Sequence, residues 1–218
     1  MVEVCMIITV GGQKGGTGKT TIAAHLAVLR AEAGKRVLLV DADEQQSAKL
    51  FSTQRKLEHA DAVQYSADTH LDDAVRLEVR QKEDLYDDII IDTGGRDSRS
   101  QRSALAIADL LMMPFKPRSL DLWTIEDMLK IIELMQSVNP KLRPLSVLNQ
   151  ADVQGTENQE AEAMLADIVD IPYSGVTIVN RKAFGKAMAQ GLAVHELRPT
   201  DKKAVREMAA LYQCIFGG

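Results

Sequence analysis

The chain has 218 residues, of which 45% are hydrophobic and 26% are charged, and its formal net charge at pH 7 is −5. A chain of this length can bury a full hydrophobic core, and the composition is that of an ordinary globular protein. The negative charge excludes a global positive field that would draw the chain to nucleic acid or membrane, so any such attraction must come from a local patch. Two cysteines, Cys5 and Cys214, lie near opposite ends, which indicates neither a zinc site nor a disulfide framework.

Residues 1–4 lack the basic and apolar segments of a signal peptide. No apolar run in the sequence approaches the roughly 20 residues that span a bilayer. We therefore expect a cytoplasmic protein.

Short apolar runs alternate with longer segments of helical periodicity along the chain. The apolar runs predict strands at residues 4–10, 37–40, 89–91, 110–115, 145–148 and 176–179, and the helical segments predict helices at 20–33, 121–137 and 158–169. Residues 51–84 are polar and weakly patterned, and we interpret them as surface helices with an edge strand. This alternation predicts an α/β fold, with a mostly parallel twisted sheet and helices on both faces. No linker, repeat or low-complexity tract interrupts the sequence, so we expect a single domain over residues 1–218.

A glycine-rich loop lies between the first predicted strand and the first predicted helix. Residues 14–21 read KGGTGKTT, and this strand–loop–helix context is the one that a phosphate-binding loop requires. Glycines let the backbone approach closely, so that successive N–H groups and the helix N-terminus can surround phosphate oxygens. Lys19 is placed to reach the β and γ phosphates, and Thr20 to offer its hydroxyl to Mg²⁺. The loop departs from the strict GxxxxGK[ST] pattern, because Gln13 occupies the first glycine position and an extra lysine, Lys14, follows it. An ordinary glycine-rich turn is the alternative interpretation.

Aspartates follow two of the predicted strands. Asp92 comes directly after residues 89–91, at a carboxyl end where ligands collect in open α/β sheets, and we expect it to face Mg²⁺ directly or through a water. Asp41 and Asp43 follow residues 37–40, where one carboxylate could hold the metal shell and the other could orient the attacking water. The alternative for these aspartates is capping of the next turn or helix.

Three segments together resemble the ParA/MinD family of deviant-Walker ATPases: residues 14–21, residues 40–43 (VDAD) and residues 91–95 (IDTGG). The chain looks most like the short ParA-type plasmid-partition ATPases, because the phosphate loop begins almost at once and leaves no room for an N-terminal helix-turn-helix. Later segments at 108–114, 119–123, 147–150 and 180–191 also resemble the family, so the likeness covers about residues 5–195.

The resemblance implies a role for each matching residue. Lys14 would be the family's signature lysine, which reaches across an ATP-bound homodimer to the partner's phosphates. Asp43 would position the hydrolytic water with Asp41 beside it, and Asn149 would read adenine. The predicted catalytic residues are Lys14, Lys19 and Asp43; the nucleotide-binding residues are Gly15, Gly16, Thr17, Gly18, Lys19, Thr20, Thr21 and Asn149; and the metal ligands are Thr20, Asp41 and Asp92. The family usually continues the second aspartate with Pro-Gln, whereas Glu44-Gln45 stands here, a departure that bears on the shape of this loop.

The resemblance further implies an ATPase that uses Mg²⁺ and converts ATP slowly to ADP and phosphate, as a switch between monomer and dimer. In its ATP state the dimer would bind nonspecific DNA and associate with the nucleoid, in order to segregate or position a cargo, above all a plasmid. A small DNA-binding adaptor of the ParB type would stimulate hydrolysis.

A local excess of positive charge near the C-terminus is the candidate DNA-binding surface. Residues 181–206 carry a charge of +5 in a chain of −5, which suggests a surface for a polyanion. The basic residues are Arg181, Lys182, Lys186, Arg198, Lys202, Lys203 and Arg206. A solvated helix face that happens to be basic is the alternative interpretation.

Two other functions remain open on the same fold. A MinD-like positioning ATPase would bind membrane through a basic C-terminal helix, but no Lys or Arg follows Arg206, and we expect the apolar stripe of Ala204, Met208, Leu211 and Ile215 to dock on the core. A metabolic enzyme that uses ATP and a small acceptor would need a second substrate motif, and none is visible. The two separated cysteines argue against an iron–sulfur relative, and a single tyrosine in the last forty residues, Tyr212, argues against a tyrosine autokinase.

Overall fold

A computed structural model describes residues 5–119, 122–154 and 156–217. Residues 1–4, which include the predicted start of the first strand and the segment considered for a signal peptide, lie outside the described residues. Residues 120 and 121, at the predicted start of the 121–137 helix, also lie outside them.

The described residues form strands and helices in regular alternation. The strands are β1 (Met6–Val10), β2 (Val37–Ala42), β3 (Ser66–Thr69), β4 (Asp88–Thr93), β5 (Leu110–Phe115), β6 (Arg143–Ala151) and β7 (Tyr173–Val179). The helices are α1 (Lys19–Glu32), α2 (Ser47–Glu58), α3 (Asp73–Lys82), α4 (Arg99–Leu105), α5 (Leu122–Val138), α6 (Thr156–Ala166), α7 (Lys182–Ala189) and α8 (Lys202–Phe216). Each strand predicted from an apolar run is present, and β6 extends beyond the prediction at both ends.

The strands form one seven-stranded sheet in the order β3-β2-β4-β1-β5-β6-β7. Every neighbouring pair is parallel. Because β4 and β1 lie at the centre, beside β2, the loops that follow these three strands share one edge of the sheet. The predicted α/β fold with a parallel sheet is confirmed.

Side chains that alternate along the central strands enter two different cores, because successive residues of a strand point to opposite faces. Ile89 and Ile91 pack in one core with residues of α3, α4, α5 and α6. Ile90 packs in the other core with residues of α1, α7 and α8. Helices therefore cover both faces of the sheet, which explains why the strand sequences are continuously apolar.

The segment at residues 51–84 contains the predicted edge strand, β3, and two helices. These helices are less superficial than the polar sequence indicated, because Phe51 of α2 is 2% exposed and Val75 and Val79 of α3 are fully buried. Arg55 of α2 is also buried, at 1% exposure. Most other residues of both helices are exposed or partly exposed, so they are surface helices, as expected, and each buries one narrow face.

The apolar stripe of α8 packs on the core, as expected from the sequence. Ala204, Met208 and Leu211 are at most 2% exposed, and Ile215 lies partly buried against the same cluster. Among the described residues, no helix combines the length and apolar character needed to cross a membrane.

Candidate functional site

The glycine-rich loop and the predicted aspartates converge at the carboxyl edge of the sheet. In the parallel register Val10 pairs with Asp92, and Asp41 also pairs with Asp92. A cleft of about 1040 Å³ opens at this edge. Its lining residues come from three loops and the elements beside them: Gly15, Gly16, Gly18, Lys19, Thr20, Thr21, Ala42, Asp43, Glu44, Gln45, Ser47, Asp72, Gly94, Gly95, Arg96, Asp97, Ser98, Ser100, Gln150 and Met188.

The glycine-rich loop has the conformation of an anion cradle. Gly16 and Gly18 adopt φ values of 69° and 89°, in the left-handed region that favours glycine. Gly18 is followed directly by α1, whose first turn has neither a side-chain cap nor an acidic residue. The first N–H groups of a helix lack partners inside the helix, so this first turn can bind the oxygens of a phosphate.

Lys19 is the buried cation of the site, with 6% exposure. Its Nζ donates a hydrogen bond of 3.0 Å to the carbonyl oxygen of Lys14. Burial lowers the pKa of Lys19, and the nearby carboxylates of Asp92 and Asp43 oppose that shift. An anionic ligand would stabilise the charged form of this buried ammonium group, because the attraction offsets the free energy lost when the group is removed from water.

Asp92 is a buried acid beside the cleft residues Thr20 and Lys19. It is fully buried, and within the described part of the chain neither carboxylate oxygen has a hydrogen-bond partner. Burial raises the pKa of Asp92 to about 8, the carboxylate of Asp41 adds to the rise, and the Thr20 hydroxyl and Lys19 ammonium oppose it. A buried carboxylate without partners, beside a hydroxyl, fits a hard cation such as Mg²⁺, which prefers oxygen ligands.

Asp41 and Asp43 have different surroundings. Asp41 accepts hydrogen bonds from the backbone N–H groups of Asp43 (3.1 Å) and Lys49 (2.8 Å), so it caps the first turn of α2. Burial raises the pKa of Asp41, and these N–H groups oppose the rise. Asp43 is more exposed and accepts from the Gln45 N–H at 3.1 Å. Both aspartates therefore make capping contacts, Asp41 to the start of α2 and Asp43 to the turn before it, and Asp43 also lines the cleft, while the metal and catalytic roles of the two stay predictions.

Asn149 and Gln150, at the end of β6, support the glycine-rich loop from below. Asn149 Nδ2 donates to the Thr17 carbonyl at 2.6 Å, and Gln150 Nε2 donates to the Gly16 carbonyl at 2.9 Å. Asn149 is 5% exposed, and Gln150 lines the cleft. The sequence analysis assigned Asn149 to adenine and missed Gln150. The adenine contact stays a prediction, beside the loop-supporting contact that the structure shows.

The loop after β4 also contacts the glycine-rich loop, and the sequence analysis assigned no role to that contact. A Cβ atom on Gly95 would stand 2.5 Å from the Cα of Gly15. From α4, Gln101 Oε1 accepts from the Gly12 N–H at 3.2 Å and from the Thr93 hydroxyl at 3.3 Å. The double glycine after Asp92 signals such a close approach, whereas no local signal distinguishes Gln101 from any other helical glutamine.

The basic residues near the C-terminus divide into two groups. Arg181 is ion-paired with Glu207 at 2.6 Å and its side chain is 17% exposed. Arg198 Nη1 donates to the carbonyls of His195 and Leu197. Glu207 lies one residue beyond the interval that was counted, and its inclusion reduces the local charge to +4. Arg198 is nevertheless exposed, as are the five remaining predicted DNA-binding residues: Lys182, Lys186, Lys202, Lys203 and Arg206.

The sequence is similar to a family of nucleotide-binding domains and to individual proteins in it. The family model for the CobQ/CobB/MinD/ParA nucleotide binding domain matches residues 8–194. Maintenance of carboxysome distribution protein A of Halothiobacillus neapolitanus is 27% identical over 202 residues, which cover 92% of this chain and 92% of that protein. Chromosome-partitioning ATPase Soj of Thermus thermophilus is 28% identical over 223 residues, covering 84% of this chain and 87% of Soj.

The structural comparison agrees in fold. The structure of an ATP complex of a Cyanothece McdA variant superposes with a TM-score of 0.79 at 14% sequence identity, covering 98% of this chain and 97% of that chain. At this identity the likeness establishes the shared fold alone.

Proposed function

The chain belongs to the CobQ/CobB/MinD/ParA family of nucleotide-binding domains, and we propose that it is an ATPase whose nucleotide cycle positions or partitions a cargo on DNA. The observation that carries this proposal is an anion cradle that lines the cleft directly beside a buried carboxylate, Asp92, which has no hydrogen-bond partner among the described residues. An anion site next to a cation site suits a nucleotide whose phosphates carry Mg²⁺.

Residues of the cleft divide the binding of ATP and Mg²⁺ between them. The N–H groups of residues 15–21 and the ammonium of Lys19 hold the phosphates, and Asn149, which donates to the Thr17 carbonyl of the loop, is the residue expected to contact adenine. Thr20 and Asp92 hold Mg²⁺, with Asp41 close by. The ion neutralises charge on the β and γ phosphates when it is bound.

Asp41 and Asp43 have different roles in hydrolysis. Asp41 already accepts two backbone hydrogen bonds, so its principal work is to hold α2 beside the cleft. Asp43 orients the attacking water, because its carboxylate lines the cleft and faces the loop after β4. We expect slow turnover in the absence of a partner protein.

Lys14 connects the cleft to a second copy of the chain. It lies beside Gly15 and Gly16, which are exposed at the mouth of the cleft. A lysine that reaches the phosphates of a facing subunit would bind more strongly when the γ phosphate is present, so ATP would drive dimerisation and hydrolysis would release it. The protein then acts as an ATP-dependent homodimer.

The output surface consists of the exposed basic residues of α7 and α8. We call Lys182, Lys186, Lys202, Lys203 and Arg206 the basic surface. Arg181 is excluded because its guanidinium is paired with Glu207, and Arg198 is excluded because it lies outside both helices and its Nη1 donates to backbone carbonyls. Lysines that neutralise phosphates bind DNA without sequence preference and with a steep dependence on salt. A ParB-type adaptor that stimulates hydrolysis completes the cycle.

The cargo has two candidates. A plasmid is the first, since the chain resembles short partition ATPases and is similar to the partitioning ATPase Soj. A protein compartment is the second, because the similarity to maintenance of carboxysome distribution protein A extends over 92% of both chains. Loss of plasmids after deletion of the gene would favour the first, and clustering of compartments without plasmid loss would favour the second.

Binding to random-sequence DNA tests the proposed output. Anisotropy titrations compare ATP with ADP over a salt series for the natural chain, for Lys182→Glu/Lys203→Glu, and for Lys56→Glu/Lys130→Glu, a control with the same charge change on exposed lysines elsewhere. We expect binding only with ATP, and the basic-surface variant to bind at least about tenfold more weakly with a salt slope smaller by about 2.

The control variant should bind within about twofold of the natural chain. Equal loss in both variants would show that net charge, and not the basic surface, governs binding. If the natural chain hydrolyses ATP but neither nucleotide supports DNA binding, the proposed output is wrong. Anionic liposomes and small acceptors would then test the membrane and metabolic alternatives.

A further inference from the structure

The nucleotide cleft is lined by more acidic than basic side chains. Its described lining includes the carboxylates of Asp43, Glu44, Asp72 and Asp97, and the cations Lys19 and Arg96. Lys19 belongs to the phosphate loop. Arg96 is not one of the residues assigned to phosphate or Mg²⁺ binding. The negatively charged triphosphate of ATP would nevertheless be stabilised by a cation in these acidic surroundings.

Arg96 has no ionic partner in the described part of the chain, and it is exposed. Its neighbour Asp97 is bound by Arg102, with Nε to Oδ1 at 2.8 Å and Nη2 to Oδ2 at 2.5 Å. The carboxylate closest in sequence is therefore already neutralised by another arginine. The guanidinium of Arg96 remains available for an anion that enters the cleft.

The backbone beside Arg96 is held against the phosphate loop. A Cβ atom on Gly95 would stand 2.5 Å from both the Cα and the amide nitrogen of Gly15. Consecutive Cα atoms are about 3.8 Å apart. The Cα of Arg96 therefore lies about that far from the Cα of Gly95, which is in contact with the phosphate loop. Its long side chain can reach a phosphate held there.

The same loop also identifies which phosphate Arg96 meets. A Cβ atom on Gly94 would lie 3.4 Å from Oδ1 of Asp43, the carboxylate assigned to the attacking water. The loop begins after Thr93, which directly follows Asp92, the proposed Mg²⁺ ligand. In the proposed function Asp43 acts at the terminal phosphate of ATP, and Asp92 acts at the Mg²⁺ ion that neutralises the β and γ phosphates.

We propose that Arg96 binds the terminal phosphate of ATP within its own subunit and thereby makes the protein distinguish ATP from ADP. The inference rests on the proposed function as an ATPase. A guanidinium can form two parallel hydrogen bonds to a phosphate, which an ammonium cannot do. Because ADP lacks the terminal phosphate, this contact favours only the ATP state, and such differential affinity is what a nucleotide switch needs.

The test measures dissociation constants for Mg²⁺ with ADP and for Mg²⁺ with a non-hydrolysable ATP analogue by calorimetry. The variants are Arg96→Ala and Arg96→Lys. Arg99→Ala is the matched control, because Arg99 is also an exposed arginine, three residues further on, but it is paired with Asp73 at 2.6 Å. All are repeated with Lys14→Ala, which removes the lysine proposed to reach across a dimer.

We expect Arg96→Ala to weaken binding of the ATP analogue about tenfold or more, because the lost hydrogen bonds are charge-assisted, and to weaken binding of ADP less than about twofold. Arg96→Lys should be intermediate, and Arg99→Ala should match the natural chain. The effect should persist with Lys14→Ala. Because Arg96 is exposed, the melting temperature without nucleotide should not change.

Three results would overturn the inference: equal losses for both nucleotides, no loss for either, or an effect that disappears with Lys14→Ala and so belongs to the facing subunit. In these cases the natural chain still binds ATP, and the proposed function stands. If the natural chain binds neither nucleotide, the proposed function fails, and the inference fails with it.

Discussion

Gly95 contacts Gly15 backbone to backbone, and this contact joins the loop after β4 to the phosphate loop. A Cβ atom at position 95 would lie 2.5 Å from the Gly15 Cα, a distance at which one of the two loops must move. The two loops fit in this way only while position 95 is glycine, whereas a Cβ atom on Gly15 would meet nothing within 4 Å.

Gly95→Ala should therefore weaken ATP binding at least about tenfold, because the phosphate loop is displaced by the added methyl group. Calorimetry measures the affinity, and far-UV circular dichroism checks that the fold is kept. Gly185→Ala is the matched control: nothing lies within 4 Å of the added Cβ, and the helix gains roughly 0.5–1 kcal/mol. Unchanged affinity in Gly95→Ala would show that the two loops separate without consequence.

Asp92→Asn should stabilise the nucleotide-free protein and abolish stabilisation by Mg²⁺ with ATP. Burial raises the pKa of Asp92 to about 8, so keeping this acid in the fold is unfavourable, and the neutral amide relieves the cost. We expect a gain of at least about 1 kcal/mol, which raises the melting temperature by about 2–4 °C. Scanning fluorimetry with and without Mg²⁺ and ATP measures both effects.

Asp43→Asn is the control for that experiment. Asp43 is only partly buried, so its variant should melt within about 1 °C of the natural chain without nucleotide and keep the stabilisation by Mg²⁺ with ATP, while losing hydrolysis. A lower melting temperature for Asp92→Asn would contradict the assignment of Asp92 as an unsatisfied buried acid.

The sequence predicts the sheet and the core of the site well, for identifiable reasons. Strands buried on both faces, such as Ile89 to Ile91 in β4, are continuously apolar and therefore conspicuous. Parallel strands end at one edge, so residues that follow β1, β2 and β4 had to converge. Gly18 and Lys19 are marked by the strand–loop–helix context.

Features that depend on distant partners were not predictable. Arg55 looks like a surface residue in a polar helix, and its burial depends on Glu196, which lies 141 positions later. Arg181 was counted toward a DNA-binding patch because Glu207, its partner, fell just outside the interval. The capping role of Asp41 depends on where α2 begins. Local patterns carry no information about such pairs.

His25 should make stability depend on pH between about 4 and 6.5. Its Nδ1 donates to the Thr21 carbonyl at 2.7 Å and its Nε2 accepts from the Val194 N–H at 3.2 Å, so both nitrogens are used by the neutral ring. Burial lowers the pKa of His25 from 6.5 to about 4. As the pH falls from 6.5 to 4, His25 becomes protonated in the unfolded chain but stays neutral in the folded chain. The free energy of unfolding therefore falls by about 3 kcal/mol.

Asp92 acts in the opposite direction over the same range, because its pKa is raised and the folded chain holds a proton there that the unfolded chain releases. The contribution of His25 must therefore be isolated with a variant. Urea unfolding of the natural chain and of His25→Gln should show a stability difference that narrows by about 2–3 kcal/mol between pH 7 and pH 4.5. A difference that stays constant would mean that folding does not change the pKa of His25.

Arg55 and Glu196 should be strongly coupled, because they form a buried ion pair between α2 and the segment before α8. Arg55 is 1% exposed and bonds both carboxylate oxygens of Glu196, at 2.8 and 2.9 Å. Its Nη1 also donates to the Gly191 carbonyl at 3.2 Å. Arg55→Met leaves a poorly solvated carboxylate without its partner, and we expect a loss of about 3–5 kcal/mol.

A double-mutant cycle separates the pair from the effects of each site. Arg55→Met/Glu196→Leu should be less destabilised than the sum of the single variants by about 2 kcal/mol, because no charge remains unpaired. The control cycle uses Arg80 and Glu83, an exposed pair at 2.8 Å, for which the coupling should be about 0.3–0.5 kcal/mol. Urea denaturation of each variant gives the energies. Similar coupling in the two cycles would mean that burial adds nothing to the Arg55–Glu196 pair, and that other contacts, such as the one from Arg55 to the Gly191 carbonyl, hold α2 to the C-terminal segment.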